Sequence, residues 1–331
     1  MNDAPAMTQP KRIVYLDALR VLAILLVVFT HAHELAGAGG SLAHKLYCVD
    51  RMGVPLFLMI SGALIVPRAA QMDAFSFYRK RIPQFLLIIF CWSVLTNAVY
   101  NACNGETAWL SFARALTETN GLFPAKTGHA HHLGFMYTIT GLYLLAPFIS
   151  RGLHHMGNGG RVALVAVMLL LQFPPCSLAA NLSSCGSLNG YALYFLLGYV
   201  ISCWPVEKYG AKALAALLVL VPAAILGSYF AGSTWYTQNP CFYLSASCLF
   251  LLFKVMFASS ETQCFSGASK ASFGVYLVHL AVMYPVIAML PEAWVLSPTL
   301  AALLYFVVTY CISWGATALL LKVKGVRFLL S

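Results

Sequence analysis

The sequence predicts an all-α integral membrane protein, a bundle of about ten transmembrane helices with both termini cytoplasmic. Three observations carry this. Of 331 residues, 60% are hydrophobic and only 9% charged, at a mean hydropathy of +0.79, more apolar sequence than a soluble domain can bury behind so few charges. Apolar windows of bilayer-spanning length recur to the end of the chain. The short loops between them divide their basic residues unequally.

Taken in order, the windows are 13–35, 51–67, 82–101, 132–150, 162–179, 189–204, 212–230, 240–257, 271–290 and 299–321. Lys11 and Arg12 before an apolar run, with a small-residue segment at 36–38, imitate a signal peptide. The run is nevertheless as long as a full span and holds Asp17 and Arg20, so it reads as a retained first helix. With the N-terminus inside, the inner segments collect Arg68, Arg79, Lys80, Arg81, Arg151, Arg161, Lys208, Lys212, Lys254, Lys270, Lys322, Lys324 and Arg327. The outer ones hold only Lys45, Arg51, Arg114 and Lys126. The net charge of +10 is therefore explained by membrane topology, and nucleic acid is excluded as a partner. No extramembrane domain or repeat interrupts the chain, which reads as one polytopic domain over 1–331 with short cytoplasmic tails at 1–12 and 322–331. Its longest outer loop, about 102–131, carries Trp109, Asn120, Phe123 and His129 and reads as a connector or a cover over a site. The ten cysteines include no CxxC pair. Cys176 and Cys185 flank an outer loop and are placed to pair in an oxidising compartment.

The first window carries the chemistry. Arg20 and His31 are eleven residues apart, which on an α-helix returns to within about 20° of the same face, about 16 Å along the axis. Ionisable groups inside a span are costly and mark functional sites. His31 is suited to general-base work, with Glu34 one turn on to hold the imidazole in one tautomer. An interfacial histidine bonded to a neighbouring helix is the alternative. Arg20 is either neutralised by Asp17 at i, i+3 or aimed as a free cation into a polar cavity. A resident metal is not expected: His31 and His33 point to opposite sides of a helix, and the HAHH run at 129–132 has no carboxylate or cysteine at ligand spacing. Ser61 and Gly62 read as close-packing residues, and His279 as a histidine locked by a hydrogen bond within the bundle. Arg79, Lys80 and Arg81 are either a positive-inside cluster or a clamp for the phosphates of a soluble donor.

These segments together resemble the acyltransferase-3 family of integral membrane acyltransferases, of the stand-alone O-acetyltransferase type. The resemblance rests on LRVLAILLVVFTH with Arg20 and His31, VPLFLMISGALI, YRKRIPQF, HHLGFMYTITGLYLLAPFI, YFLLGYVI and ASFGVYLVHL, in the expected order along nearly the whole chain. It implies transfer of an acyl group, commonly acetyl from acetyl-CoA, to a hydroxyl of a cell-surface glycan or lipid-linked sugar, in a bacterial cytoplasmic membrane. Membrane lipids and polysaccharide-biosynthesis proteins are the further partners it implies. By the same resemblance His31 is catalytic with Arg20 its partner, and Arg20, Arg79 and Arg81 meet the donor, while the spacing of Glu34 adds it to the catalytic set. Arg51, His132 and Tyr137 face the acceptor. Direct transfer and an acyl-His31 intermediate are both compatible with this set. The chain departs from the family at Gly134, where a tryptophan is common. A proton-coupled transporter or flippase using Asp17, Arg20, His31 and Glu34 as a relay is the rival reading, and a scaffold in a polysaccharide-export complex a third. Against the transporter, no pair of Gly/Pro-broken helices recurs in related halves.

Overall fold

A computed structural model describes residues 12–37, 41–118, 128–173, 187–258, 260–290, 297–323 and 325–330. Among them there is no strand. The helices are α1 (Val14–Leu35), α2 (Ser41–Asp50), α3 (Gly53–Ala70), α4 (Ala74–Cys103), α5 (Ala108–Glu118), α6 (Gly134–His155), α7 (Asn158–Gln172), α8 (Ser187–Cys203), α9 (Gly210–Phe230), α10 (Pro240–Met256), α11 (Ser266–Met289) and α12 (Pro298–Leu320). Seven spans have the length and composition to cross a membrane, with α2 and α3 running together over Leu42–Ala70 as one of them. The apolar helices Asn158–Gln172, Gly190–Cys203 and Pro240–Met256 are shorter. The chain is a multi-pass membrane protein.

Each predicted window overlaps one of these helices, but the boundaries move where hydropathy is silent. The third window begins at residue 82, but the basic run before it, with Arg79, Lys80 and Arg81, is already helical: α4 starts at Ala74, where the Asp73 side chain caps it, accepting from the Ser76 N–H at 3.1 Å. Arg and Lys are good helix formers, so charge ends an apolar window without ending a helix. The outer loop contains α5, on which Trp109 is exposed, whereas Asn120, Phe123, Lys126, Cys176 and Cys185 lie outside the described residues. The eight described cysteines are free thiols.

Helix α1 is central: α3, α11 and α12 pack along it, with α2 and α10 also in contact. Helices α3 and α8 cross at close range. A Cβ on Gly62 would fall against the Phe195 carbonyl, and one on Gly198 against that of Met59, so both positions let two backbones meet as small residues do in membrane helices. Gly62→Leu or Gly198→Leu is expected to abolish the folded, detergent-soluble form, measured by size-exclusion chromatography of a fluorescent fusion. The Lys254 ammonium on α10 closes the C-terminal end of α8, donating to the carbonyls of Ile201 at 3.2 Å and Ser202 at 2.9 Å and to that of Trp204.

Candidate functional site

Two cavities lie at opposite ends of the Arg20–His31 face of α1. The first, about 640 Å³, gathers Arg12, Arg20, Arg68, Arg81, Lys270 and Arg327 over a wall that includes Phe57, Phe135 and Tyr143. Its six cations come from the segment before α1, from α1, α3, α4 and α11, and from the 3₁₀ turn after α12. Six positive groups without an acidic residue in the lining make a pocket for a polyanion.

Within it, Arg20 stands between Asp17 and the open cavity. Asp17 accepts from Arg12 Nε at 2.9 Å and Nη2 at 3.0 Å, and from Ser269 Oγ at 2.6 Å. Arg20 Nη1 stands 3.8 Å from the same carboxylate, beyond hydrogen-bond distance. Asp17 is thus hydrogen-bonded to Arg12 and Ser269, while Arg20 keeps only the longer ion pair with it and lines the cavity. Arg81 lines the cavity as well. Arg79 does not: it lies exposed on the other side of α4.

The second cavity, about 400 Å³, is lined by Thr30, His31 and Glu34 of α1, Asp50, Arg51, His131, His132, Gly134, Phe135 and Thr138, with Tyr191, Trp235 and Tyr236 opposite. Phe135 belongs to both linings, so the two cavities meet at one ring. That ring is held between Phe57 at 6.1 Å and Tyr276 at 5.5 Å.

In the second cavity the i, i+3 pair forms as helix geometry requires, with His31 Nδ1 3.1 Å from Glu34 Oε2. A carboxylate only accepts, so the proton sits on Nδ1 and Nε2 keeps a free lone pair. The other Glu34 oxygen accepts from Arg51 Nη2 at 3.4 Å. Arg51 is itself fixed by Thr234, through its carbonyl at 3.2 Å and Oγ1 at 3.1 Å, and lies 3.6 Å over the Tyr47 ring and 5.2 Å over that of Trp235. Arg51 thus lines the cavity while tied to Glu34, Thr234 and two aromatic rings.

The HAHH segment arrives from a hundred residues away. Gly128, at φ +56°, makes the turn into it. Asn97 Oδ1 then accepts the His129 N–H at 2.8 Å, Tyr284 donates to the His129 carbonyl at 2.6 Å, and Tyr276 donates to that of His132. This sets His131 Nε2 3.4 Å from His31 Nδ1. His132 is buried and donates through Nε2 to the Leu277 carbonyl at 3.3 Å. His279 donates through Nδ1 to the Tyr276 carbonyl at 2.7 Å, the kind of bond expected for it, and also stacks on His31 with centroids 5.4 Å apart. His33 turns to the other side of α1, where its Nε2 donates to buried Asp50 at 2.6 Å. Tyr137 is not in the lining; it is exposed on α6.

Sequence reasoning missed His131 as a neighbour of His31, the tie of Asp50 to His33, and the wall of Tyr191, Trp235 and Tyr236. Only the HAHH run carried any signal. Burial raises the Tyr236 phenol above its ordinary value, which keeps it a neutral donor at the wall. A Cβ on Gly134 would meet nothing within 4 Å, so this position opens the cavity where a larger residue would fill it. Gly134→Trp is expected to raise KM for the substrate that occupies this cavity and to leave KM for the ligand of the cationic cavity unaltered, as read by steady-state kinetics against each.

A profile described as an acyltransferase domain matches residues 13–318. No curated protein and no solved structure matches at a significant level. With that match running through both cavities and every described helix, the chain belongs to the acyltransferase-3 family.

Proposed function

We propose that this protein is an O-acyltransferase that moves acetyl from cytoplasmic acetyl-CoA to a hydroxyl of a cell-surface glycan or lipid-linked saccharide, in a bacterial cytoplasmic membrane. The observation that carries the reading is the pair of cavities meeting at Phe135, one cationic and one built around a histidine with a free Nε2. The cationic cavity suits the phosphates of a nucleotide-like donor, with Arg20 and Arg81 among its contacts. The basic cavity lies on the side where the positive loops place the cytoplasm, so the donor enters from inside. The acceptor enters at the His31 end.

In the reaction, His31 Nε2 takes the proton of the acceptor hydroxyl as its oxygen bonds to the thioester carbonyl carbon. Glu34 stabilises the imidazolium that forms, and Arg51 holds Glu34. The C–S bond then breaks, and His31 returns its proton to the CoA sulfur. His132, at the cavity wall, contributes to the acceptor side.

The test is mass spectrometry of surface glycans from cells with and without the gene. Loss of an acetyl increment from one saccharide class in the deletion strain, restored by the intact gene, supports the reading. Identical glycans in both strains, with the protein produced, would overturn it.

A further inference from the structure

The second cavity brings together a set of metal ligands that no local spacing announces. Ligand atoms of His31, Glu34 and His131 all lie within 4.8 Å of one another. We propose that they form a regulatory zinc site, and that a divalent zinc ion held there switches His31 off. Binding stands on this geometry alone; the consequence for activity rests on the acyltransferase reading above.

Zinc bonded at ~2.0–2.1 Å in a tetrahedral site keeps its ligand atoms about 3.3–3.4 Å apart. Two of the three separations are near that already: His31 Nδ1 to Glu34 Oε2 is 3.1 Å, and His31 Nδ1 to His131 Nε2 is 3.4 Å. Both Glu34 and His131 are exposed enough to close the third. The fourth position opens on the cavity, where water completes the site.

Without a cation the three atoms are poorly matched. The Nδ1 proton of His31 lies between two acceptors, Glu34 Oε2 and His131 Nε2, and is shared between them. If His131 Nε2 carries its own proton instead, two N–H groups face one another. A metal ion replaces both arrangements with three bonds from lone pairs. The opposing charge is Arg51, whose Nη2 lies 3.4 Å from the other Glu34 oxygen, and it weakens the site without blocking the oxygen that faces His31.

The consequence follows from the tautomer. A metal on Nδ1 needs the lone pair there, so in neutral His31 the proton moves to Nε2. Nε2 then donates and no longer accepts, and Glu34 is drawn to the metal. The imidazole can take no proton from an acceptor hydroxyl.

The experiment uses the untagged full chain in detergent, stripped with EDTA, and zinc titrated by calorimetry. Wild type is expected to bind one equivalent of zinc more than His131→Ala. Glu34→Gln should weaken that equivalent at least tenfold, Arg51→Gln should tighten it, and His154→Ala should leave it unchanged. Thermal unfolding in the same detergent identifies any variant that fails to fold, and the Glu34 and His131 variants report independently. Zinc should inhibit acetyl transfer by the wild type, reversibly by EDTA, and the activity remaining in His131→Ala should be at least tenfold less sensitive. Equal zinc binding by wild type and folded His131→Ala, or loss of the equivalent only in His154→Ala, would overturn the site and leave the acyltransferase reading standing. Zinc bound at His131 by a protein that transfers no acyl group would overturn that reading and leave the site.

Discussion

His31→Ala is expected to lower the rate of acyl transfer by about 10²–10⁴-fold, the usual contribution of a positioned general base, with insertion and yield unchanged. His31 lines the cavity, and removing its ring takes away its ring contacts with His279 and His131 but none of the buried residues of α1. Glu34→Gln is expected to fall between the two enzymes, lowering kcat with little change in KM, because Gln still offers an oxygen to Nδ1–H but no charge to the imidazolium. The measurement is transfer of labelled acetyl from acetyl-CoA in membrane vesicles, normalised to protein recovered. Full activity in His31→Ala would remove His31 from the mechanism.

Arg20→Met is expected to raise KM for acetyl-CoA by about 10- to 100-fold, since a hydrogen bond to a charged group contributes about 1.5–3 kcal/mol. The 3.8 Å gap to Asp17 is the reason. Were Arg20 the structural partner of that carboxylate, its loss would leave a buried charge unpaired and lower the folded yield instead. Asp17 keeps two bonds from Arg12 and one from Ser269 when Arg20 is replaced, so the protein should insert normally. Arg79→Ala, outside the cavity, should leave KM within about twofold of the wild type, well under one charged hydrogen bond. Kinetics against acetyl-CoA at saturating acceptor separate these outcomes. An inserted Arg20→Met enzyme with unaltered KM would show that the donor does not touch Arg20.

The two predictions draw on different sources. The contact of His31 with Glu34 was readable from the chain because residues three apart share a helix face wherever they lie in a fold. The opposite orientation of His33 followed from the same geometry, and it turned out to serve a different bond, to Asp50. Composition and apolar windows sufficed for the fold class, since a bilayer forces backbone groups to pair within each helix. Charge told less: Arg79 and Arg81 looked equivalent in a basic run, yet helix rotation puts one into the cavity and the other outside it.

What the sequence by itself determined is therefore what is local to one helix or dictated by the solvent: an all-α membrane bundle, Arg20 and His31 on one face, Glu34 beneath the imidazole. What only the tertiary structure decided is who meets across helices. It gave the hydrogen bonds of Asp17 to Arg12 and left Arg20 the longer ion pair, drew six cations from distant segments into one cavity, lined two cavities with Phe135, and brought His131 to His31. The physical reason is that helical periodicity fixes neighbours within about a turn. Contacts a hundred residues apart depend on crossings such as Gly62 on Phe195 and on turns such as Gly128, whose packing leaves no period in the chain.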